Sequence, residues 1–256
     1  MRIKVEDIVD REKGKTAFVV AMGPSVNDNR DMISQAGDSD DHIVLCCNDI
    51  DIAWPELEYD YWVVANSELH TTTSLIDRAN SKDAMFCYCD SIDPTPNAES
   101  NKHMDGEFLG YECRHFDNKP CGIRNPCCEK RVEGRKAIQE HFAEYCNSDR
   151  IYSPGSTVAL HMTSMAVLLG CKEVYITGVD LDYTNGYFNN EPFTDNQRAT
   201  GMRIMNEDEG QVKLALADFK VIKEVAENIG VGVYALDEDV KLTEYVGNKR
   251  PDVWYE

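Results

Sequence analysis

The chain has 256 residues, and its 42% hydrophobic share supports a sizeable core and excludes wholesale disorder. Its 46 acidic against 26 basic residues leave a formal net charge of −20, a surface that repels nucleic-acid phosphates and anionic membranes. No run approaches the roughly 20 apolar residues of a membrane span, and the charged stretch 1–15 lacks the apolar centre of a secretion signal, so a cytoplasmic location with the ten cysteines as reduced thiols is expected.

Taken in chain order, Thr16 to Ala21 reads as a buried strand running into Met22-Gly23-Pro24-Ser25, with a short helix at 30–35. Ile43 to Cys47 runs into Asn48-Asp49, and Tyr61 to Ala65 into Asn66-Ser67. Ala84 to Tyr88 is a fourth apolar stretch. The pattern then breaks into Pro, Asn, Gly, Cys and His, and 90–130 reads as a loop-rich, Cys/His-rich insertion. Helical spacing resumes at 134–146, and 150–153 is a short strand. The helix 157–169 is apolar nearly all round, as befits one packed on a sheet. Glu173 to Thr177 is a strand leading to Gly178-Val179-Asp180. The stretch 183–206 is polar and longer than a connector, which reads as a lid. A long amphipathic helix covers 207–229, with Ile229 on its apolar stripe, and a last strand covers 231–236. The expectation is one α/β domain over 1–256: a Rossmann-like open, mostly parallel sheet with helices on both faces.

In such a sheet, ligands bind along the carboxyl ends of the strands. The polar residues and glycines following each strand therefore mark the candidate site. Gly23, Pro24 and Ser25 could cradle a phosphate or ribose, although an ordinary strand-to-helix turn explains them equally. Gly155-Ser156-Thr157 opens the apolar helix, with Ser156 as the expected N-cap and the helix N-terminus as an anion site. Asp180-Leu181-Asp182 and Asp49-Ile50-Asp51 each space two carboxylates by one residue. Such pairs can hold Mg²⁺ or Mn²⁺, but a chain this acidic produces them by chance. Gly14-Lys15-Thr16 mimics a phosphate loop yet precedes its strand and is rejected. Cys87, Cys89, Cys113, Cys121, Cys127, Cys128, His103 and His115 offer zinc-type ligands, but no Cys-x₂-Cys pair occurs and free thiols are the simpler reading. His42 and His161 read as structural. Residues 162–256 contain no histidine, and His70 is the one placed to face the crevice.

The succession Gly23-Pro24-Ser25, Cys47-Asn48, Asn66-Ser67, Gly155-Ser156-Thr157 and Gly178-Val179-Asp180 resembles the bacterial lipooligosaccharide sialyltransferases. It is also similar to motility-accessory-factor-like glycosyltransferases and to archaeal-type hydroxymethylpterin pyrophosphokinase-like proteins. The resemblance implies a nucleotide-sugar donor, CMP-linked in the sialyltransferases, and a glycan or lipid-linked acceptor. It implies that Gly23, Ser25, Asn48 and Asn66 contact ribose, phosphate or sugar, that Ser156 and Thr157 sit at the cytidine or sugar carboxylate, and that Asp180 lies near the ribose or base. Lid tyrosines stabilise the departing phosphate in that family, matching Tyr183 and Tyr187, and no metal is required. The family's general base is a lid histidine. Here Asp195, Glu207, Asp208 or His70 would take that role, and Asp182 stands where the first lid tyrosine belongs. The pyrophosphokinase resemblance instead implies Mg²⁺ at Asp180 and Asp182. A nucleotide-binding protein without catalysis is the third reading, and a homo-oligomer is compatible with all three.

Overall fold

Short runs of Val, Ile, Phe, Tyr and Cys, bounded by turn residues, form strands because a branched or aromatic side chain packs well on a pleated surface. The computed structural model describes residues 1–65, 72–89, 95–114, 142, 146, 150–152, 157–181, 188 and 209–251. Within them the strands are β1 (Arg2–Ile3), β2 (Thr16–Val20), β3 (His42–Cys47), β4 (Tyr61–Val64), β5 (Met85–Cys89), β6 (Phe108–Arg114), β7 (Arg150–Tyr152), β8 (Glu173–Thr177) and β9 (Gly232–Ala235). They lie in the order β1-β6-β5-β4-β3-β2-β8-β9, with β7 also pairing with β6. All the pairings between these strands are parallel. The fold class is therefore as expected: an open α/β sheet of Rossmann-like form.

Alternation along each strand divides the core in two. Ala17, Val19, Ile43, Leu45, Val174 and Ile176 face α5 (Val158–Leu168) and α6 (Glu209–Asn228). Phe18, Val20, Val44, Trp62, Phe86 and Tyr175 face the opposite layer, which includes α1 (Arg30–Gly37), α2 (Ile50–Ala53) and α3 (Thr72–Asn80). Both faces are covered, so β2 is buried at all five positions and shows no polar alternation. At the chain start, Asp10 N–H donates to Leu168 O, Glu12 N–H to Leu169 O, and Lys172 N–H to Lys15 O, each within 2.9 Å. These bonds fix the C-terminus of α5 at the amino edge of the sheet, so its N-terminus lies at the carboxyl edge.

The insertion expected over 90–130 is corrected in part. Residues Thr95–His103 form helix α4, and Phe108–Arg114 form β6, a sheet member paired with β5, β1 and β7. Pro96 reads as a breaker but sits in the first helical turn, where no N–H is needed. Gly110, Glu112 and Arg114 interrupt the apolar run of β6. Residues 115–130 lie outside the described residues, as does all of 134–146 except Phe142 and Cys146. Ile229, expected on the buried stripe, follows the end of α6 and is 60% exposed, whereas Leu216, Phe219, Ile222 and Val225 are buried.

Phe18 is fully buried at the centre, stacked on Tyr175 and edge-on to His42, both at 5.7 Å between ring centroids. Phe18→Ala should lower unfolding stability by about 3–5 kcal/mol, the usual cost of truncating a buried aromatic residue. Urea midpoints check this, and a loss below about 1 kcal/mol would contradict such packing.

Candidate functional site

From β2 the chain steps through β3, β4, β5 and β6 in one direction, while β8 and β9 lie on the other side of β2. The turns after β2 and β8 consequently leave the sheet side by side and diverge, which is the switch point where open α/β sheets form their crevice. Gly23, Pro24 and Ser25 follow β2, and Gly178 and Asp180 follow β8. The structure brings these sequence-predicted residues together.

Their contact is made backbone to backbone. Ala21 N–H donates to Thr177 O at 3.0 Å and Gly23 N–H to Gly178 O at 2.9 Å, carrying the pairing one step past the strands. A Cβ on Gly23 would stand 1.9 Å from Asp180 Oδ2 and 2.6 Å from Gly178 O, so only glycine fits. Gly178 has φ +75°, and a Cβ there would meet Ala21 O at 2.7 Å. Ser25 ties the two turns together: its N–H and Oγ–H donate to Asp180 Oδ2 at 3.3 and 3.0 Å, and its Oγ accepts from Gly178 N–H at 3.1 Å. The donors expected to cradle a phosphate at this turn are thus engaged by the protein's own carboxylate and carbonyl. The rim offers a carboxylate, a group suited to accepting hydrogen bonds from hydroxyls.

Beneath this turn lies a polar cluster that the sequence reading did not single out. Asp237, just past β9, is 8% exposed; its Oδ1 accepts from Asn29 Nδ2 at 2.6 Å and from Thr177 Oγ1 at 3.3 Å. Asn29 Nδ2 also lies within bonding distance of Ser25 O (3.4 Å) and Thr177 Oγ1 (3.3 Å), while its Oδ1 is buried with no hydrogen-bond partner among the described residues. Burial pushes the Asp237 carboxyl up to about 6, with the charge of Asp180 adding to the rise and the donors Ser25, Thr177 and Asn29 opposing it. The strand-end rule, extended to Leu236-Asp237, would have found it.

Asn48 lies at the end of β3 with φ +50°, a conformation that asparagine tolerates better than most residues. Its carbonyl accepts from Trp62 Nε1 at 2.7 Å, and its Oδ1 is buried with no partner among the described residues. Asp49 and Asp51 bind Arg78, which donates Nε to Asp51 Oδ2 at 2.9 Å and Nη1 to Asp49 Oδ1 at 3.2 Å and stacks over Trp62 at 4.9 Å. That pair is accounted for as an ion cluster rather than a metal site. Thr157, not Ser156, caps α5, accepting from Ala159 N–H at 3.4 Å. Tyr111 Oη lies 2.9 Å from His161 Nδ1 in the core, in keeping with a structural role for that histidine. Buried Cys87 and Cys89 point into the core from β5, and no group of three metal-type ligands occurs among the described residues. Asn66, Ser67, His70, Gly155, Ser156, Asp182, Tyr183, Tyr187, Asp195, Glu207 and Asp208 lie outside the described residues.

Of the stretch 183–206, Phe188 alone is described. Its N–H donates to Met22 O at 3.1 Å and its carbonyl accepts from Asn27 Nδ2 at 2.7 Å. The ring is 1% exposed beside Trp54, and the Arg30 guanidinium covers both rings at 4.9 and 5.2 Å. Phe188 is therefore fastened to the β2 turn.

No family model and no curated protein matches the chain. Among solved structures it is similar to the sialyltransferase CstII from Campylobacter jejuni in complex with cytidine-5'-monophosphate, at 17% identity and a TM-score of 0.50, over 93% of this chain and 86% of that one. The same enzyme in complex with CMP-3FNeuAc gives 14% identity and a TM-score of 0.44, over 92% and 86%. The MAf glycosyltransferase from Magnetospirillum magneticum gives 13% and 0.48, over 93% of this chain but 36% of that longer one. At this level of identity the first of these establishes a common fold. No described helix is long and apolar enough to cross a membrane.

Because the folded-state pKa of Asp237 lies above its ordinary value near 3.8, its contribution to stability is fully present below that value and is lost as pH rises through about 6. Asp237→Asn removes this penalty and keeps an oxygen for Asn29. Between pH 4 and pH 7 the variant should gain roughly 1–3 kcal/mol relative to wild type in urea unfolding. A difference independent of pH would contradict the raised pKa.

Proposed function

We propose that this chain is a glycosyltransferase that takes a sugar from a nucleotide-activated donor, most readily a CMP-sugar, and passes it to a glycan or lipid-linked acceptor. The observation that carries the reading is the convergence of Ser25 and Asp180 at the switch point between β2 and β8, in a fold shared with a sialyltransferase in complex with CMP. Asp180 suits the hydroxyls of a ribose or sugar, as acidic residues do beside bound nucleosides in doubly wound sheets. Asn48, one strand away, brings an amide whose oxygen is unpartnered among the described residues. Asn66 and Ser67 follow β4 and extend the same row in sequence. Gly155, Ser156 and Thr157 lead into α5, whose N-terminal amides and dipole favour an anionic group.

In the transfer, an acceptor hydroxyl attacks the anomeric carbon as the bond from that carbon to the phosphate oxygen breaks. The hydroxyl proton passes to a base, and the electron pair of the broken bond leaves on the nucleotide. Tyr183 and Tyr187 would donate hydrogen bonds to the departing phosphate. His70, Asp195, Glu207 or Asp208 would serve as base, Asp182 stands where the first lid tyrosine belongs, and no metal would be needed.

Thermal-shift measurements distinguish this reading from its alternatives. CMP should raise the melting temperature by several degrees with EDTA present. Stabilisation by ATP with Mg²⁺ alone would point to a pyrophosphokinase, and CMP binding without turnover or hydrolysis of any CMP-sugar would point to a non-catalytic protein. Asn48→Gly keeps the positive φ and removes the amide, so CMP affinity should fall about 5–10-fold, the value of one hydrogen bond. Wild-type affinity in that variant would remove Asn48 from the site.

A further inference from the structure

Asp237 is a buried carboxylate at the end of β9, one layer beneath the turn on which the nucleotide reading rests. Ser25 lies between it and Asp180, since the hydroxyl that serves Asp180 Oδ2 belongs to the residue whose carbonyl is shared with Asn29, and Asn29 in turn holds Asp237. Among the described residues, the following groups face Asp237 from the elements around it. From the 3-10 helix Pro24–Asn29 come the neutral Ser25 hydroxyl and Asn29 amide. From β8 come the neutral Thr177 hydroxyl and, just beyond it, Asp180. From α7 (Thr243–Val246), the Thr243 hydroxyl donates to the Asp237 main-chain oxygen at 2.7 Å. On its own segment Glu238 and Asp239 are exposed. Among the described residues, the ionisable group facing Asp237 from a neighbouring element is another acid, Asp180.

A nucleotide bound along this rim, with its phosphate toward the N-terminus of α5 as proposed above, adds negative charge to a crevice edge where two carboxylates already stand. The site can relieve that repulsion by neutralising one of them. Asp180 is the less buried of the two, with its Oδ2 held by Ser25 N–H and O–H. Asp237 is the better candidate for protonation, being more deeply buried and holding beside it the Oδ1 of Asn29, which has no hydrogen-bond partner among the described residues. If the Asn29 amide turns over, that oxygen faces Asp237 and can accept a proton from its carboxyl, so the protonated state also finds a partner. We propose that Asp237 takes up a proton when an anionic nucleotide occupies the rim, so that nucleotide binding at this site is proton-linked. The inference rests on the nucleotide reading above. Linkage then sets its sign: the bound anion favours protonated Asp237, and affinity rises as pH falls.

The probe is the methyl ester of CMP, whose phosphodiester charge does not titrate near neutrality, unlike the CMP monoester with its second pKa near 6. Calorimetry at pH 7 in buffers of different ionisation enthalpy counts the protons exchanged. Wild-type protein should take up about 0.3–0.9 proton per ester bound, and its affinity should tighten several-fold from pH 8 to pH 6. Asp237→Asn should bind the ester with no uptake and with a flat pH profile. Thr177→Val, which removes a donor to Asp237, should keep the uptake and move its window to higher pH; this arm stands even if the Asn variant folds poorly. Ester binding to wild type without proton uptake, or uptake unchanged in Asp237→Asn, overturns the inference while leaving the nucleotide reading in place. Failure of wild type to bind either CMP or the ester removes that reading, and the inference falls with it.

Discussion

A single methyl group on Gly23 would overlap Asp180 Oδ2 at 1.9 Å and the Gly178 carbonyl oxygen at 2.6 Å. The absence of that methyl group is what lets the turns after β2 and β8 lie directly on one another, and the rest of the rim is built on that approach. With the two backbones in register, Gly23 N–H reaches Gly178 O, Ser25 Oγ reaches both Gly178 N–H and Asp180 Oδ2, and the 3-10 helix Pro24–Asn29 is oriented so that Asn29 drops onto Asp237. Phe188 then closes against the outer side of the same turn through Met22 O and Asn27. Three neighbouring strand ends and the distant Phe188 meet around one close backbone contact.

The same contact decides what chemistry the turn offers. A glycine-rich turn after the first strand of a doubly wound sheet usually presents bare N–H groups to a phosphate. Here Asp180 and the Gly178 carbonyl take up the N–H groups of Ser25 and Gly23, so the turn is rigid and its outward character is that of an acceptor. An anionic part of any ligand must find its donors elsewhere along the rim, and the N-terminus of α5 supplies backbone N–H groups and a favourable dipole. On the proposed reading, the hydroxyls of a ligand would meet the β2 and β8 end of the rim and its anionic part the α5 end. That division agrees with a nucleotide sugar, which carries both kinds of group.

Most of the sheet was legible in the sequence because parallel strands buried on both faces are continuous apolar runs, and β2, β3, β4, β5 and β8 are such runs. Gly23, Ser25, Gly178 and Asp180 were legible for the same reason, as the first polar or flexible residues after each run. What escaped were elements whose side chains do not advertise their burial. Helix α4 buries Pro96, Asn97 and Ser100, none of them an apolar periodic signal, and β6 carries Gly110 and Glu112 amid its aromatics. Asn29 and Asp237 escaped because a buried polar residue is recognised by its partners, and those partners are 208 positions apart. Asn48 was legible as a strand-end amide, but its positive φ gives it a backbone reason to be asparagine that no spacing reveals.

That backbone reason does not extend to Asp237. A buried carboxylate whose pKa has been pushed up is a net cost near neutral pH, and replacing it by asparagine would keep the bond from Asn29 while removing the charge. The bonds from Asn29 and Thr177 only partly offset burial and the nearby charge of Asp180. Local rules broken without a local gain tend to coincide with functional sites. At this position the broken rule lies under the turn that the rest of the rim depends on, on the strand next to β8, within the polar network that orients Ser25. A neutral network would hold the turn as well; a titratable one lets the charge of the rim change with what is bound to it.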